Sequence, residues 1–190
     1  MDLGELTDKL KAALPEDAVK IDLGCGVHPA EGFRGVDLFA DHPGVDKVDL
    51  FSYPWPFADG SVDFFRACHF LEHVPDWDAH FREVYRCLKP KGHYEIIGPF
   101  YMNDRAFQDP DHKQPLLGPR FAYLQRKWRE ANGLTHYGAE VNFAMVGWFE
   151  LLNPDFVDEG LSADAIAWHK RHSWNVVDDI AAVLRKEPME

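Results

Sequence analysis

The first indication of the fold is the stretch Val19-Lys20-Ile21-Asp22-Leu23-Gly24-Cys25-Gly26. A short apolar strand leads directly into an acidic residue and then into two glycines one residue apart. Because glycine has no Cβ, the backbone can turn sharply at Gly24 and Gly26 and can approach a ligand closely. The backbone N–H groups after such a turn can face a carboxylate or a phosphate. The stretch therefore predicts a ligand site where a strand ends.

A second acidic residue, Asp37, lies eleven residues after Gly26, at the end of the apolar run 35–38. A carboxylate at the end of the second strand can accept both hydroxyls of a ribose, as in nucleotide-binding sheets. Asp22 suits the ammonium group of an amino acid better than a pyrophosphate. The dinucleotide fingerprint G-x-G-x-x-G also fails, because Pro29 stands at its third glycine. These residues predict a nucleoside pocket without a pyrophosphate cradle.

Four stretches in the first 115 residues, taken in order, resemble the motifs of the class I S-adenosylmethionine (SAM) methyltransferases. They are DLGCG at 22–26 with the acidic strand end, Asp49-Leu50 followed by Pro54 to Asp63, Leu71-Glu72-His73-Val74, and Phe81 to Gly92. Lys91 departs from the glycine that the family usually has, in what is expected to be an exposed turn. The chain resembles the type 11 methyltransferases in particular, and D-P-x-H at 109–112 resembles a small subfamily of them.

The resemblance implies an α/β fold with a doubly wound, mostly parallel, seven-stranded Rossmann-like sheet whose last strand is antiparallel. Alternating strand and helix patterns agree with it. Strands are expected near 18–23, 34–38, 46–49, 62–67, 92–98, 140–152 and 176–185, and helices near 3–14, 69–73, 77–88, 120–131 and 162–170. The link from Gly26 to Arg34 is shorter than the dozen or so residues that a parallel crossover usually needs. We therefore expect a shortened first crossover that leaves one side of the cofactor site open.

Composition limits the class of protein. The 190 residues carry a net charge of −12, and 46% of them are hydrophobic, which predicts one globular domain over 1–190. No apolar run approaches the ~20 residues that span a bilayer, so no membrane association is expected. The first residues lack the pattern of a signal peptide, and three cysteines form no disulfide framework, so a reduced, cytoplasmic location is expected. The acidic charge makes nucleic acid an unfavourable partner. The oligomeric state is left open.

SAM is the cofactor that the resemblance implies. The expected contact residues are Asp22, Gly24, Cys25, Gly26, Asp37, Leu38, Asp49, Leu50, Ala67 and Cys68. No metal is expected. Residues 69–73 do match the zinc-binding signature H-x-x-E-H. The same residues fall on the methyltransferase H-x-L-E-H stretch, which favours a structural hydrogen bond for His73.

The long segment 99–119 follows the fifth strand and contains five prolines or glycines. Loops of this length tend to be functional. Asp109, Asp111 and His112 are the candidate catalytic residues, because histidine titrates near neutral pH and a neighbouring carboxylate can orient it. A purely structural polar turn is the alternative.

The sequence as a whole predicts a SAM-dependent methyltransferase that moves a methyl group to an oxygen or nitrogen of a small-molecule acceptor. Two alternatives stay open. One is a SAM-binding protein without catalysis, which would regulate or scaffold a partner. The other is a nicotinamide oxidoreductase, which Pro29 disfavours.

Overall fold

The computed structural model describes residues 1–137, 140–157 and 160–189. The strands are β1 (Lys20–Leu23), β2 (Arg34–Asp37), β3 (Val45–Lys47), β4 (Val62–Cys68), β5 (Leu88–Pro99), β6 (Phe143–Leu152) and β7 (Val177–Lys186). The α-helices are α1 (Leu3–Ala12), α2 (Trp77–Cys87), α3 (Arg105–Gln108), α4 (Pro119–Ala122), α5 (Arg126–Ala131), α6 (Pro154–Val157) and α7 (Ala163–His172), with a 3-10 helix at Leu71–His73. Among the described residues, no helix has both the length and the apolar character that a bilayer crossing requires.

The seven strands form one sheet in the order β3-β2-β1-β4-β5-β7-β6. Strands β1 to β5 pair in parallel, whereas β7 runs antiparallel to both β5 and β6. This arrangement confirms the predicted Rossmann-like sheet with an antiparallel last strand. The strand order reverses between β1 and β4, and such a switch point opens a crevice at the carboxyl ends of the strands.

The first crossover is short, as predicted. No helix lies between β1 and β2, although the two strands pair in parallel from Ile21 opposite Arg34 onward. Phe33 is buried in this link, and its ring meets that of Phe64 edge to face at 5.8 Å. One aromatic side chain thus covers part of β4 where a crossover helix would otherwise pack.

The core beside α2 contains a polar pair that the apolar pattern did not indicate. Asp76 caps the N-terminus of helix α2, because its carboxylate accepts the Ala79 N–H at 2.9 Å. On its buried face, His80 is fully covered and its Nε2 lies 2.9 Å from the Tyr94 hydroxyl. Burial lowers the pKa of His80 to about 3, so the imidazole is neutral.

Two expectations need correction. The single helix predicted at 120–131 is divided into α4 and α5, because Gln125 adopts an extended conformation (φ −93°, ψ 113°). The Arg129 guanidinium donates to the Tyr123 carbonyl at 2.6 Å, which satisfies an acceptor left by the break. Strand β5 begins at Leu88, before the predicted start near residue 92. Lys91 has a φ of 66° within it, a conformation that favours glycine.

Candidate functional site

The glycine turn after β1 has the geometry that its sequence predicts. Gly24 and Gly26 have φ values of 63° and 58°. The Gly24 N–H donates to the Val36 carbonyl at 2.9 Å, so the turn stays joined to β2. Gly24 also lies directly under the Phe70 ring, where a Cβ would come within 2.2 Å of a ring carbon. The first glycine therefore serves close packing as well as the turn.

We expect Gly24→Ala to destabilise the protein more than Gly26→Ala. Both alanines would occupy the left-handed region, at a cost of about 1–2 kcal/mol each. Only the alanine at Gly24 would also overlap Phe70, whereas a Cβ at Gly26 meets no described atom within 4 Å. Overpacking adds about 1–3 kcal/mol. Urea unfolding of both variants measures the difference, and equal losses in the free energy of unfolding would show that Phe70 moves aside freely.

A cavity of about 260 Å³ lies at the carboxyl edge of the sheet. Five of the predicted cofactor residues line it, namely Gly24, Asp37, Leu38, Asp49 and Leu50. The remaining lining residues are Phe39, Val48, Phe51, His69, Phe70, His73 and Asp111. The cavity therefore joins the ends of β1, β2 and β3 to the segments that follow β4 and β5.

Asp37 is held in place by backbone donors on both sides. Its Oδ2 accepts the Gly26 N–H at 3.0 Å, and its Oδ1 accepts the N–H groups of Phe39 and Ala40 at 2.7 and 3.0 Å. The carboxylate thus joins the glycine turn to the end of β2. Each carboxylate oxygen has two lone pairs, so acceptor capacity is left for a ligand hydroxyl.

Asp22 is almost fully buried, at 1% exposure, and does not line the cavity. Its Oδ2 accepts the Ala30 N–H at 2.8 Å, and both oxygens lie 3.3 Å from Arg66 Nη1. Arg66 Nε in turn lies 3.2 Å from the buried Glu95 carboxylate. In the structure, therefore, Asp22 supports the short crossover and an ion-pair network behind the glycine turn. Its contact with a cofactor ammonium stays a prediction.

The other predicted cofactor residues take different positions. The Asp49 carboxylate accepts the Ser52 hydroxyl at 2.6 Å and the Phe51 N–H at 3.0 Å, and the Ser52 bond is the main cause of its lowered pKa. Ala67 is fully buried in β4. The thiols of Cys25 and Cys68 have raised pKa values, to about 11 for Cys25, chiefly because burial disfavours the thiolate. Neither cysteine is therefore an activated nucleophile.

Two aromatic rings missed by the sequence analysis form an apolar wall of the cavity. Phe51 and Phe70 stack with their ring centres 5.9 Å apart and their planes within 9° of parallel. Flat apolar surfaces of this kind suit a nucleobase, because every base has a π-face. Phe51 directly follows the predicted Asp49-Leu50 pair, and that position was the available signal.

The histidine-rich segment after β4 contributes His69 to the cavity in an uncommon conformation. Its φ is 54°, and its ring nitrogens lie 3.3 Å from Glu72 Oε1 and 3.5 Å from Asp179 Oδ2. The neighbouring carboxylates, Asp179 first and then Glu72, favour the charged ring and raise the pKa of His69 to about 9. The imidazole is therefore a cation at neutral pH. Because His69 precedes the 3-10 helix Leu71–His73, it does not share a helical face with His73.

The three candidate catalytic residues occupy one turn. Asp109 accepts the Asp111 N–H at 2.8 Å through its carboxylate and the His112 N–H at 3.2 Å through its carbonyl. Asp111 lines the cavity, with its Oδ2 3.6 Å from His73 Nδ1. His112 lies behind His73 with the ring centres 4.8 Å apart, and its Nδ1 is 3.1 Å from the Ala106 carbonyl. The carboxylate of the turn that pairs with a histidine is thus Asp111, and its partner is His73 of the 3-10 helix rather than His112.

Comparison with known proteins shows which kind of domain this chain is similar to. A family described as a methyltransferase domain matches residues 45–96. The sterol 24-C-methyltransferase of Pneumocystis carinii (strain B80) is 26% identical over 57% of this chain, which spans only 35% of that relative's length.

Solved structures show the same fold at low identity. A SAM-dependent methyltransferase from Archaeoglobus fulgidus superposes with a TM-score of 0.56 at 17% identity, covering 96% of this chain and 94% of its own. The [4+2]-cyclase SpnF superposes with a TM-score of 0.54 at 18% identity, covering 96% of this chain and 80% of its own. Likeness at this level establishes the fold.

Proposed function

We propose that this chain, a class I SAM-dependent methyltransferase by family and fold, transfers the methyl group of SAM to an oxygen or nitrogen of a small molecule. One observation carries the proposal. A single cavity combines Asp37 and the Phe51–Phe70 wall, which suit a nucleoside, with Asp111 and His73, which suit proton transfer. The strand order separates these two groups, since the first lies mainly at β2 and β3 and the second beyond β4 and β5.

The chemistry requires alignment and the loss of one proton. The lone pair of the acceptor attacks the methyl carbon, and the carbon–sulfur bond breaks with its electrons returning to sulfur. A cavity that holds both reactants makes this step effectively intramolecular. An oxygen or nitrogen acceptor must also release a proton, and a positioned histidine can accept it. We assign this role to His73, which lines the cavity beside Asp111, with His112 positioning its ring and Asp109 fixing the turn.

A small molecule is the favoured acceptor. The net charge of −12 opposes the binding of nucleic acid, whose phosphates are neutralised by Lys and Arg. Two of the cationic side chains between residues 119 and 131, those of Arg120 and Arg129, make contacts within the protein itself. Arg120 lies 3.9 Å above the Trp77 ring, and Arg129 is buried and donates to main-chain carbonyls.

We expect SAM and its demethylated product to bind and NAD not to bind. Calorimetric titration of the same preparation with the three ligands measures this directly. Strong NAD binding without SAM binding would contradict the proposal and would favour the oxidoreductase alternative. Incubation with methyl-labelled SAM and cell extract then identifies the acceptor and the atom that carries the label.

A SAM-binding role without methyl transfer is the second candidate. It is favoured by the ion pair of Asp111 with Lys113 at 2.5 Å and by the turn contacts of Asp109, which give both carboxylates structural partners. The shared fold of a [4+2]-cyclase also shows that this architecture is not restricted to one reaction. SAM binding without any labelled product in extract would support this candidate over catalysis.

A further inference from the structure

Three side chains with metal-ligating atoms converge beside the cofactor cavity. Glu72, His73 and His112 each place one such atom within 4.8 Å of the others. Glu72 and His73 belong to the 3-10 helix, whereas His112 comes from the turn after α3. The N–H of Lys113 donates to the Glu72 carbonyl at 2.8 Å, which holds the turn against the 3-10 helix. The main-chain hydrogen bond thus joins Lys113 to Glu72, two residues that are far apart in the sequence.

The Glu72 carboxylate is buried without a hydrogen bond. Glu72 is 1% exposed, and neither of its side-chain oxygens has a hydrogen-bond partner among the described residues. Among the described residues, its charged contact is His69, whose Nδ1 lies 3.3 Å from Glu72 Oε1 in a geometry that makes no hydrogen bond. A Cβ on Gly98 would come within 3.0 Å of Glu72 Oε2, so the glycine leaves room there. Burying a carboxylate with one ion pair and no hydrogen bond is costly, so the lone pairs that His69 leaves unfilled are available to a second cation.

The two imidazoles are oriented as metal ligands usually are. His112 Nδ1 lies 3.1 Å from the Ala106 carbonyl, and His73 Nδ1 lies 3.6 Å from Asp111 Oδ2. Metal-binding histidines commonly direct one ring nitrogen to a carbonyl or a carboxylate, which leaves the other nitrogen for the metal. In both rings Nδ1 has this neighbour, so Nε2 is the nitrogen available to bind a metal.

We infer that Glu72, His73 and His112 form a binding site for a divalent transition metal ion, with Zn²⁺ as the best-suited ion. Two imidazoles and one carboxylate are a ligand set found at zinc sites that keep a fourth position open. Bonds of about 2.1 Å place tetrahedral ligand atoms about 3.4 Å apart. The three side chains must therefore close by roughly an ångström. This site differs from the sequence signature H-x-x-E-H, which would use His69.

The surroundings are compatible with a cation. Asp111 adds a second negative charge beside His73. When Glu72 turns to a metal, His69 retains Asp179, which lies 3.5 Å from its Nε2. His73 also lines the cofactor cavity, so the open coordination position is near enough to serve an acceptor. That last use rests on the proposed function, whereas metal binding itself does not.

Metal titration without SAM or acceptor tests the inference. Untagged protein is treated with EDTA, dialysed and titrated with ZnCl₂ by calorimetry, and with CoCl₂ while the visible absorption of tetrahedral cobalt is recorded. We expect one tight site in the wild type. Glu72→Gln and His112→Ala should each weaken it by 10-fold or more, while the matched variant His69→Ala should retain it. Thermal melting followed by circular dichroism tests whether each variant is folded.

Two results would contradict the proposed metal site. One is wild-type zinc affinity equal to that of folded His112→Ala, since surface histidines would then account for the binding. The other is loss of binding in His69→Ala with retention in His112→Ala, which would assign the metal to the H-x-x-E-H signature. Failure of SAM to bind would contradict the proposed function and leave this result unaffected.

Discussion

Replacement of His112 by alanine should reduce methyl transfer by about 10²–10⁴-fold, the usual contribution of a general acid or base. SAM affinity should stay nearly unchanged, because His112 does not line the cofactor cavity and lies behind His73. His112 is expected to act on the acceptor by positioning the His73 imidazole, because the two ring centres are 4.8 Å apart and only His73 of the two lines the cavity. A large loss is also expected if His112 binds a metal, which the metal titration determines separately.

Three measurements on one preparation make this prediction specific. Turnover is followed with methyl-labelled SAM and the identified acceptor, SAM affinity by calorimetry, and the melting temperature by circular dichroism. His136→Ala is the matched control, because His136 is exposed and lies outside the cavity. If His112 only supports the turn through the Ala106 carbonyl, the variant should lose thermal stability and keep its turnover.

Replacement of Asp37 by alanine should weaken SAM binding about 10- to 100-fold. Hydrogen bonds to a charged group contribute roughly 1.5–3 kcal/mol, and the variant would leave ligand hydroxyls poorly paired. Some loss of stability is also expected, because the carboxylate accepts three backbone N–H groups, from Gly26, Phe39 and Ala40. The dissociation constant is therefore measured well below the melting temperature of the variant.

Asp41→Ala is the matched control for the loss of one negative charge. Its side chain is 97% exposed, it pairs with Lys47 at 3.5 Å, and it does not line the cavity. We expect its SAM affinity to equal that of the wild type. If folded Asp37→Ala bound SAM with an unchanged dissociation constant, the Asp37 carboxylate would have only a structural role in the turn and no role in binding SAM.

The strand pattern and the glycine turn could be derived from the chain alone. The run from Val19 to Gly26 predicts β1 and its turn, and the positive φ angles of Gly24 and Gly26 confirm it. The short link to Arg34 predicts a shortened crossover, since few residues are available for a helix, and the structure has no helix there. Such features are local, because they depend on a few neighbouring residues and on chain length.

The division of the helix at 120–131 could not be predicted in this way. Its sequence favours continuous helix, but the Arg129 side chain reaches the carbonyls of Tyr123 and Val141, and the second of these lies twelve residues away. Tertiary contacts of this kind override a local helical preference. The buried His80–Tyr94 pair depends in the same way on packing between α2 and β5.

For the site, the sequence by itself predicted the resemblance to the SAM-dependent methyltransferases, the cofactor that it implies and the strand ends at which Asp37 and Asp49 lie. Only the tertiary structure showed that Phe51 stacks on Phe70 and that His112 approaches Glu72 and His73. The physical reason is that strand patterns follow from neighbouring residues, whereas the partners of a side chain depend on segments joined across the sheet edge. The hydrogen bond from Lys113 to Glu72 is such a junction, and neither residue indicates it in the sequence.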